Sequence, residues 1–128
     1  MNIESNFAEL VALVKRAHTL GTVSGLLSWD EQVNLPAGAA EQRAGQHAVL
    51  AEVQHTAASE PRIGVALSAL EAADAQLSAE QRAVVVDARK DYDRATKLPA
   101  EFVREQATLC SRGYHAWARA KAADDFPS

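Results

Sequence analysis

The side chains with the most catalytic potential in this 128-residue chain are four histidines and a single cysteine. A hydrolytic zinc site needs about three nitrogen, oxygen or sulfur ligands, and one helix usually supplies two of them at i and i+4. His47 and His55 are eight residues apart, Cys110 and His115 are five apart, and His18 is isolated. Neither spacing brings two ligands together on a helix, so we predict no catalytic, cofactor-binding or metal-ligating residue in this chain.

One pair does have a ligand-like spacing. Glu52 and His55 form a Glu-x-x-His sequence, which contributes to carboxylate-bridged sites for two metal ions when it lies on helices of a four-helix bundle. Such a site needs a second copy and two further glutamates, and only one copy occurs here. We therefore expect a solvent-facing glutamate beside a histidine near a helix end, with a di-metal bundle as the alternative.

The other reactive side chains have simpler interpretations. Asp87 and Asp91, like Asp124 and Asp125, lie among charged residues, and the flanking sequence does not suggest the apolar pocket that acid–base catalysis by a carboxyl group requires. We expect solvated carboxylates. No histidine lies three or four residues from Cys110, and its place on an apolar stripe predicts a buried, inert thiol.

The charge balance argues against several kinds of partner. The chain carries 13 Lys and Arg against 17 Asp and Glu, a net charge of −4, whereas nucleic acids and anionic membranes bind surfaces rich in Lys and Arg. The longest mainly apolar segment, Leu20 to Trp29, is about half of the roughly twenty residues that a membrane-spanning helix needs. Without a basic groove, Trp29, Tyr114 and Trp117 are interpreted as core or interface residues rather than as a platform for stacking bases.

Cysteine usage and the first residues indicate a compartment. A lone cysteine cannot form an internal disulfide, which favours a reducing environment. Residues 1–6 carry an acid and no basic residue, which is unlike a secretory signal. We predict a cytoplasmic protein.

The elements that hold these side chains are all predicted to be helices, with no sheet. The chain contains 27 alanines, the residue with the highest helix propensity, and its β-branched and aromatic residues never alternate over a window of strand length. Caps, prolines and apolar spacing predict about five helices. The first runs from a cap at Ser5 to about Asn34, the second from Ala39 to Ala58, the third from Pro61 after a cap at Ser59, the fourth from a Ser78–Gln81 capping box to Thr96, and the fifth from Pro99 to Asp124. Short connections predict an antiparallel bundle or hairpin array, one all-α domain over residues 1–128.

The second half of the first helix differs from the first half. Apolar residues between Phe7 and Val14 lie on one stripe, whereas those between Leu20 and Val33 cover most of the circumference. The latter pattern is typical of a helix enclosed on several sides. Because the remaining short helices offer limited cover, we expect this stretch to pack against a larger body.

Two blocks of sequence and the spacing between them form a recognisable signature. Residues Leu26–Ala44 read LLSWDEQVNLPAGAAEQRA, and residues Asp91–Ala100 read DYDRATKLPA, followed by HAW at 115–117 and DDF at 124–126. Together these blocks resemble the amino-terminal region of the carboxypeptidase Taq family of metallocarboxypeptidases. The sequence departs from the family pattern at Glu31–Gln32, where family chains usually have Gln-Glu, at Asn34–Leu35, which replaces a Met-Met-like pair, and at Ala39, which replaces a glycine.

The resemblance implies an almost wholly helical, dimeric enzyme in which this region covers one side of a deep substrate groove. Family members are several times longer, and their His-Glu-x-x-His helix lies downstream, so no zinc ligand or catalytic glutamate carries over to a position here. We therefore expect an amino-terminal domain that is inactive alone and whose partner is the missing catalytic region or a second copy. A peptide substrate and zinc or another divalent metal are implied only for the full-length family. The alternative is a stand-alone helical interaction module that has lost the enzyme.

Overall fold

The computed structural model describes residues 2–124, which form helices joined by short connections. The α-helices are α1 Ile3–Val33, α2 Ala40–Ala58, α3 Pro61–Ala72, α4 Ala79–Thr96 and α5 Ala100–Ala123. Single turns of 3-10 helix at Ala37–Ala39 and Asp74–Gln76 precede α2 and α4. No β-strand occurs between residues 2 and 124, and the predicted all-α class is confirmed. Asp125 and Phe126, which the sequence analysis used, lie outside the described residues.

Capping interactions explain where α1 and α4 begin. The predicted cap of α1 at Ser5 is wrong, because Asn2 caps the helix one turn earlier and accepts a 2.7 Å hydrogen bond from the Ser5 amide. Asn and Ser are equally good caps, so composition alone does not choose between them. The capping box of α4 is confirmed: the Gln81 amide donates to Ser78 Oγ at 3.1 Å, and the Ser78 amide donates to Gln81 Oε1 at 2.9 Å.

Two further boundaries differ from expectation. Ser59 does not cap α3, because its hydroxyl donates to the His55 carbonyl at 2.6 Å and thus belongs to the end of α2. Glu60 occupies the cap position of α3 without a side-chain hydrogen bond. Pro99 precedes α5 in an extended conformation rather than forming its first turn. Each of these two shifts is one residue and leaves the order of helices unchanged.

Side-chain pairs between helices show the predicted antiparallel array. Along α1 and α2, Glu31 contacts His47, and Gly21 lies against Gln54. Along α2 and α5, Glu41 pairs with Arg112 and Glu52 pairs with Arg104. In both pairs of helices the residue number falls along one helix as it rises along the other, which defines an antiparallel neighbour.

The apolar core lies where the first half of α1 packs against α3 and where α3 packs against α4. Its buried residues are Leu10, Ile63, Ala66, Leu67, Leu70, Leu77, Val85 and Ala88. Gly64 lets the ring of Tyr92 lie directly on α3, since a Cβ atom there would be 2.7 Å from the Tyr92 hydroxyl. Full burial of one large apolar side chain contributes about 1.5–3 kcal/mol. The end of the molecule where α1, α3 and α4 meet is thus stabilised by side chains that these helices bury against one another.

The second half of α1 presents four of its apolar side chains to solvent. Leu26, Trp29 and Val33 are 63%, 58% and 59% exposed, and Val23 is also exposed. These four residues form the exposed strip of α1. At 100° per residue, Trp29 and Val33 lie about 160° around the helix from Glu31, which is buried. The described helices therefore cover only one side of this half of α1.

No helix in the described part of the chain is both long enough and apolar enough to cross a bilayer. This finding agrees with the sequence, in which polar residues interrupt the apolar stretch of α1.

Candidate functional site

Glu31 is the side chain that joins α1, α2 and α5. It is 8% exposed and is the only buried residue between Leu20 and Val33. Its Oε1 lies 3.2 Å from Nε2 of His47 on α2. Its Oε2 accepts a 2.5 Å hydrogen bond from the Ser111 hydroxyl and a 2.8 Å hydrogen bond from Nε2 of His115, both on α5. Glu31, His47, Ser111 and His115 form the Glu31 cluster.

A second contact holds the same turn of α1 to α2. Arg43 donates through Nη2 to Asp30 Oδ2 at 2.8 Å and through Nη1 to the Leu27 carbonyl at 2.9 Å. The Arg43 side chain is largely buried, and a guanidinium group can bind two acceptors at once because its donors are fixed in one plane. Asp30 and Glu31 therefore both turn toward α2 and the body of the protein.

Hydrogen bonding sets the charge of Glu31. Burial by itself raises the pKa of this carboxyl group, because a low-dielectric environment disfavours the anion. Hydrogen bonds from Ser111 and His115, together with the proximity of His47, outweigh burial and leave the Glu31 pKa below its ordinary value of 4.5. At neutral pH Glu31 is a carboxylate, which only accepts hydrogen bonds, so both histidines must carry a proton on Nε2.

A cleft of about 310 Å³ opens beside the cluster, between α1 and α5 and over α2. Glu31, His47 and Ser111 reach it, and its other lining residues are Ser24, Ser28, Gln32, Ala51, Ala107, Cys110 and Tyr114. The Glu31 oxygens already accept hydrogen bonds from three protein donors. Such a carboxylate is poorly suited to take a proton from a substrate, and well suited to fix three helices relative to one another.

The Glu31 cluster does not have the geometry of a metal centre. Its donors point at the two carboxylate oxygens instead of at a common point, and they do so at hydrogen-bond distances rather than the roughly 2.0–2.2 Å of zinc ligands. Across residues 2–124, no three His, Cys, Asp or Glu side chains are placed to hold a metal ion. The divalent metal implied by the family resemblance therefore lacks a fitting ligand set within that range.

The two members of the Glu-x-x-His sequence contact different parts of the protein. Glu52 is exposed, and its Oε2 accepts a 2.7 Å hydrogen bond from Arg104 on α5. His55 shares its Nε2 proton between the carbonyl oxygens of Ala95 and Leu98, at 3.0 and 2.6 Å, near the end of α4. The expected solvent-facing glutamate is confirmed, and in the described residues the pair lacks the further ligands that a di-metal site needs.

The prediction of a buried Cys110 is wrong. Its thiol is exposed, and the next residue, Ser111, is the one that α5 buries against α2. Neighbouring residues on a helix point about 100° apart, so the rotation of α5 about its axis decides which of the two is inside. The predicted stripe is therefore wrong at Cys110, whose place in the interior Ser111 takes.

The remaining candidates lie at the surface. Asp87 and Asp91 are exposed as expected, and Asp91 lies 3.9 Å from the exposed His18. Trp29 and Trp117 are both about half exposed, so neither belongs to the core of this chain. A role for either tryptophan at an interface stays a prediction.

Sequence reasoning missed Glu31, although one signal was present. A carboxylate within a stretch whose apolar residues surround the helix is costly to bury unless it is paired. The identity of its partners could not be read from spacing, because Ser111 and His115 lie 80 and 84 residues away along the chain. Only the tertiary arrangement of α1, α2 and α5 brings these groups together.

Comparison with known proteins gives a consistent result. The family model for carboxypeptidase Taq (M32) metallopeptidases matches residues 9–128. Thermostable carboxypeptidase 1 of Thermus thermophilus is 30% identical over 128 residues, and carboxypeptidase 1 of Bacillus subtilis is 27% identical over 126 residues. Each alignment covers 98% of this chain and 25% of the relative.

The backbone is also similar to a solved structure. The crystal structure named BsuCP superposes with a TM-score of 0.87 at 26% sequence identity, over 95% of this chain and 24% of that chain. This chain thus spans about a quarter of the length of the relatives that it matches.

Proposed function

Because the chain belongs to the carboxypeptidase Taq (M32) metallopeptidase family and corresponds to its amino-terminal region, we propose that it forms the helical wall on one side of the substrate groove of a metal-dependent carboxypeptidase. The substrate is a peptide, from whose carboxyl terminus the complete enzyme releases residues. We propose that the 128 residues alone do not cleave peptides. The observation that carries this proposal is the match over residues 9–128 to about a quarter of each relative.

We assign the metal chemistry and the groove wall to different parts of the complete enzyme. The family resemblance implies a His-Glu-x-x-His helix that is downstream of the matched region, and this helix would supply ligands for zinc or another divalent ion. That ion would activate water and polarise the scissile carbonyl. The residues of this chain supply a rigid groove wall, in which the Glu31 cluster fixes α1 against α2 and α5.

The same proposal includes location and assembly. We place the complete enzyme in the cytoplasm, since the one cysteine of these 128 residues, Cys110, is exposed and forms no disulfide within them, and such a thiol persists in a reducing compartment. We expect a homodimer, as the family resemblance implies. The net charge of −4 makes nucleic acid an unfavourable partner.

An activity measurement tests the proposal. The purified 128-residue chain is incubated with amino-blocked dipeptides after addition of Zn²⁺, Co²⁺ or Mn²⁺, and release of the carboxyl-terminal amino acid is followed. We expect no release above the blank, whereas carboxypeptidase 1 of Bacillus subtilis serves as the positive control. Metal-dependent release by the 128 residues, lost on chelation and restored by metal, would refute the proposed inactivity.

A further inference from the structure

The exposed strip of α1 is a continuous apolar face. Its four residues are separated by three, three and four positions, which is the spacing of one side of a helix. Val86 on α4 is similarly exposed, at 48%, but Arg82 and Lys90 lie one turn to either side of it. Isolated exposed apolar residues such as Val86 are ordinary, whereas a contiguous apolar strip marks a surface that another body covers.

The strip also lacks the charges of a solvated helix. Between Thr19 and Val33 the only ionisable side chains are Asp30 and Glu31. Glu31 is buried, and Asp30 is paired with Arg43 at 2.8 Å. By contrast, eight of the eighteen residues of α4 are charged. An exposed helix face without free charge has the composition of the centre of an interface.

We infer that the exposed strip of α1 is the face on which the catalytic remainder of the M32 enzyme docks. This inference rests on the proposed function and names the partner of this surface. The same backbone arrangement occurs in BsuCP as about a quarter of a longer chain, so in that protein the matched helices are part of a larger polypeptide. The docking segment is apolar and uncharged, because a charge placed against Trp29 and Leu26 would be buried without a counter-ion.

A chimera provides the experiment. Residues 1–128 replace the matching quarter of Bacillus subtilis carboxypeptidase 1, and Trp29→Glu is compared with the matched control Val86→Glu. In the 128-residue chain alone, both variants are expected to keep the wild-type helix content and Tm. In the chimera, Trp29→Glu is expected to lower Tm by about 3 °C or more and to reduce peptide cleavage severalfold, while Val86→Glu changes neither. Leu26→Glu is expected to reproduce the effect of Trp29→Glu.

Three results would count against the inference or its premise. An unaltered chimera that folds but cleaves no peptide contradicts the proposed function itself. An active chimera that tolerates Trp29→Glu and Leu26→Glu overturns the docking face while the proposed function stands. Sedimentation of the 128-residue chain as a dimer that Trp29→Glu dissociates, together with a chimera that tolerates the change, assigns the strip to a second copy and also overturns the inference.

Discussion

The two halves of α1 lie in opposite environments. The first half buries Leu10 in an apolar core formed with α3 and α4. The second half buries the carboxylate of Glu31 and exposes Leu26, Trp29 and Val33. Thus α1 contributes apolar side chains to the core at one end and a buried carboxylate at the other.

The difference shows that apolar burial and buried hydrogen bonds have different effects on the structure. Apolar burial is non-directional and stabilises any arrangement that removes enough surface from water. The hydrogen bonds of Glu31 need fixed distances and angles, so they define the positions of α2 and α5 relative to α1. We interpret the first half as the part that stabilises the fold. We interpret the second half as the part that holds an exposed surface in position for further polypeptide.

The largest expected effect comes from the apolar core. Leu67 is fully buried, so Leu67→Ala removes buried surface and leaves a cavity, and we expect a loss of about 3–5 kcal/mol in the free energy of unfolding. Leu26→Ala, on the exposed strip, is the matched control and is expected to change it by less than about 0.5 kcal/mol. Urea unfolding followed by circular dichroism measures both. Equal losses would show that the core, which the first half of α1 joins, and the exposed strip of its second half do not differ as described.

A smaller loss is expected from Glu31→Ala. The change leaves the Ser111 hydroxyl and the His47 imidazole buried without an acceptor, which costs about 2–3 kcal/mol. Because these contacts fix α5, we also expect the near-ultraviolet signal of Tyr114 and Trp117 to weaken while helix content is kept. A variant as stable as the wild type would mean that the cluster does not hold the three helices together.

The pH dependence of stability isolates the same carboxylate. The folded-state pKa of Glu31 lies below its ordinary value of 4.5, so its stabilising contribution is fully present above that ordinary value. The contribution is lost as the pH falls through the lower, folded-state pKa. Glu31→Gln cannot ionise, and we therefore expect its stability difference from the wild type to shrink as the pH is lowered below 4.5. A difference that stays constant in urea titrations between pH 3 and 7 contradicts this assignment.

The smallest effect is expected at the surface between α2 and α5. Arg104 and Glu52 form a 2.7 Å ion pair in which both side chains are about half exposed, and such pairs contribute about 0–1 kcal/mol. Arg104→Ala is expected to change the free energy of unfolding by about 0.5 kcal/mol or less. A loss comparable to that of Glu31→Ala would place the attachment of α5 at its surface instead of at the buried cluster.

The features that the sequence predicted are those that local physics determines. The capping box at Ser78 and the stop before Pro36 depend on residues within one turn, and the helices follow from alanine content and apolar spacing. The exposure of Cys110 and the burial of Ser111 depend on the rotation of α5 about its axis. The Glu31 cluster depends on contacts across as many as 84 residues. These long-range features could not be derived from spacing alone.

Hydrogen–deuterium exchange tests most directly whether the second half of α1 is a surface that further polypeptide covers. Amide protection is measured across α1 in the 128-residue chain and in the chimera with Bacillus subtilis carboxypeptidase 1. We predict equal protection of residues around Leu10 in both proteins and at least about tenfold slower exchange of residues 26–33 in the chimera, because amide protection rises when a segment is covered. Equal exchange of residues 26–33 in the two proteins would contradict the account.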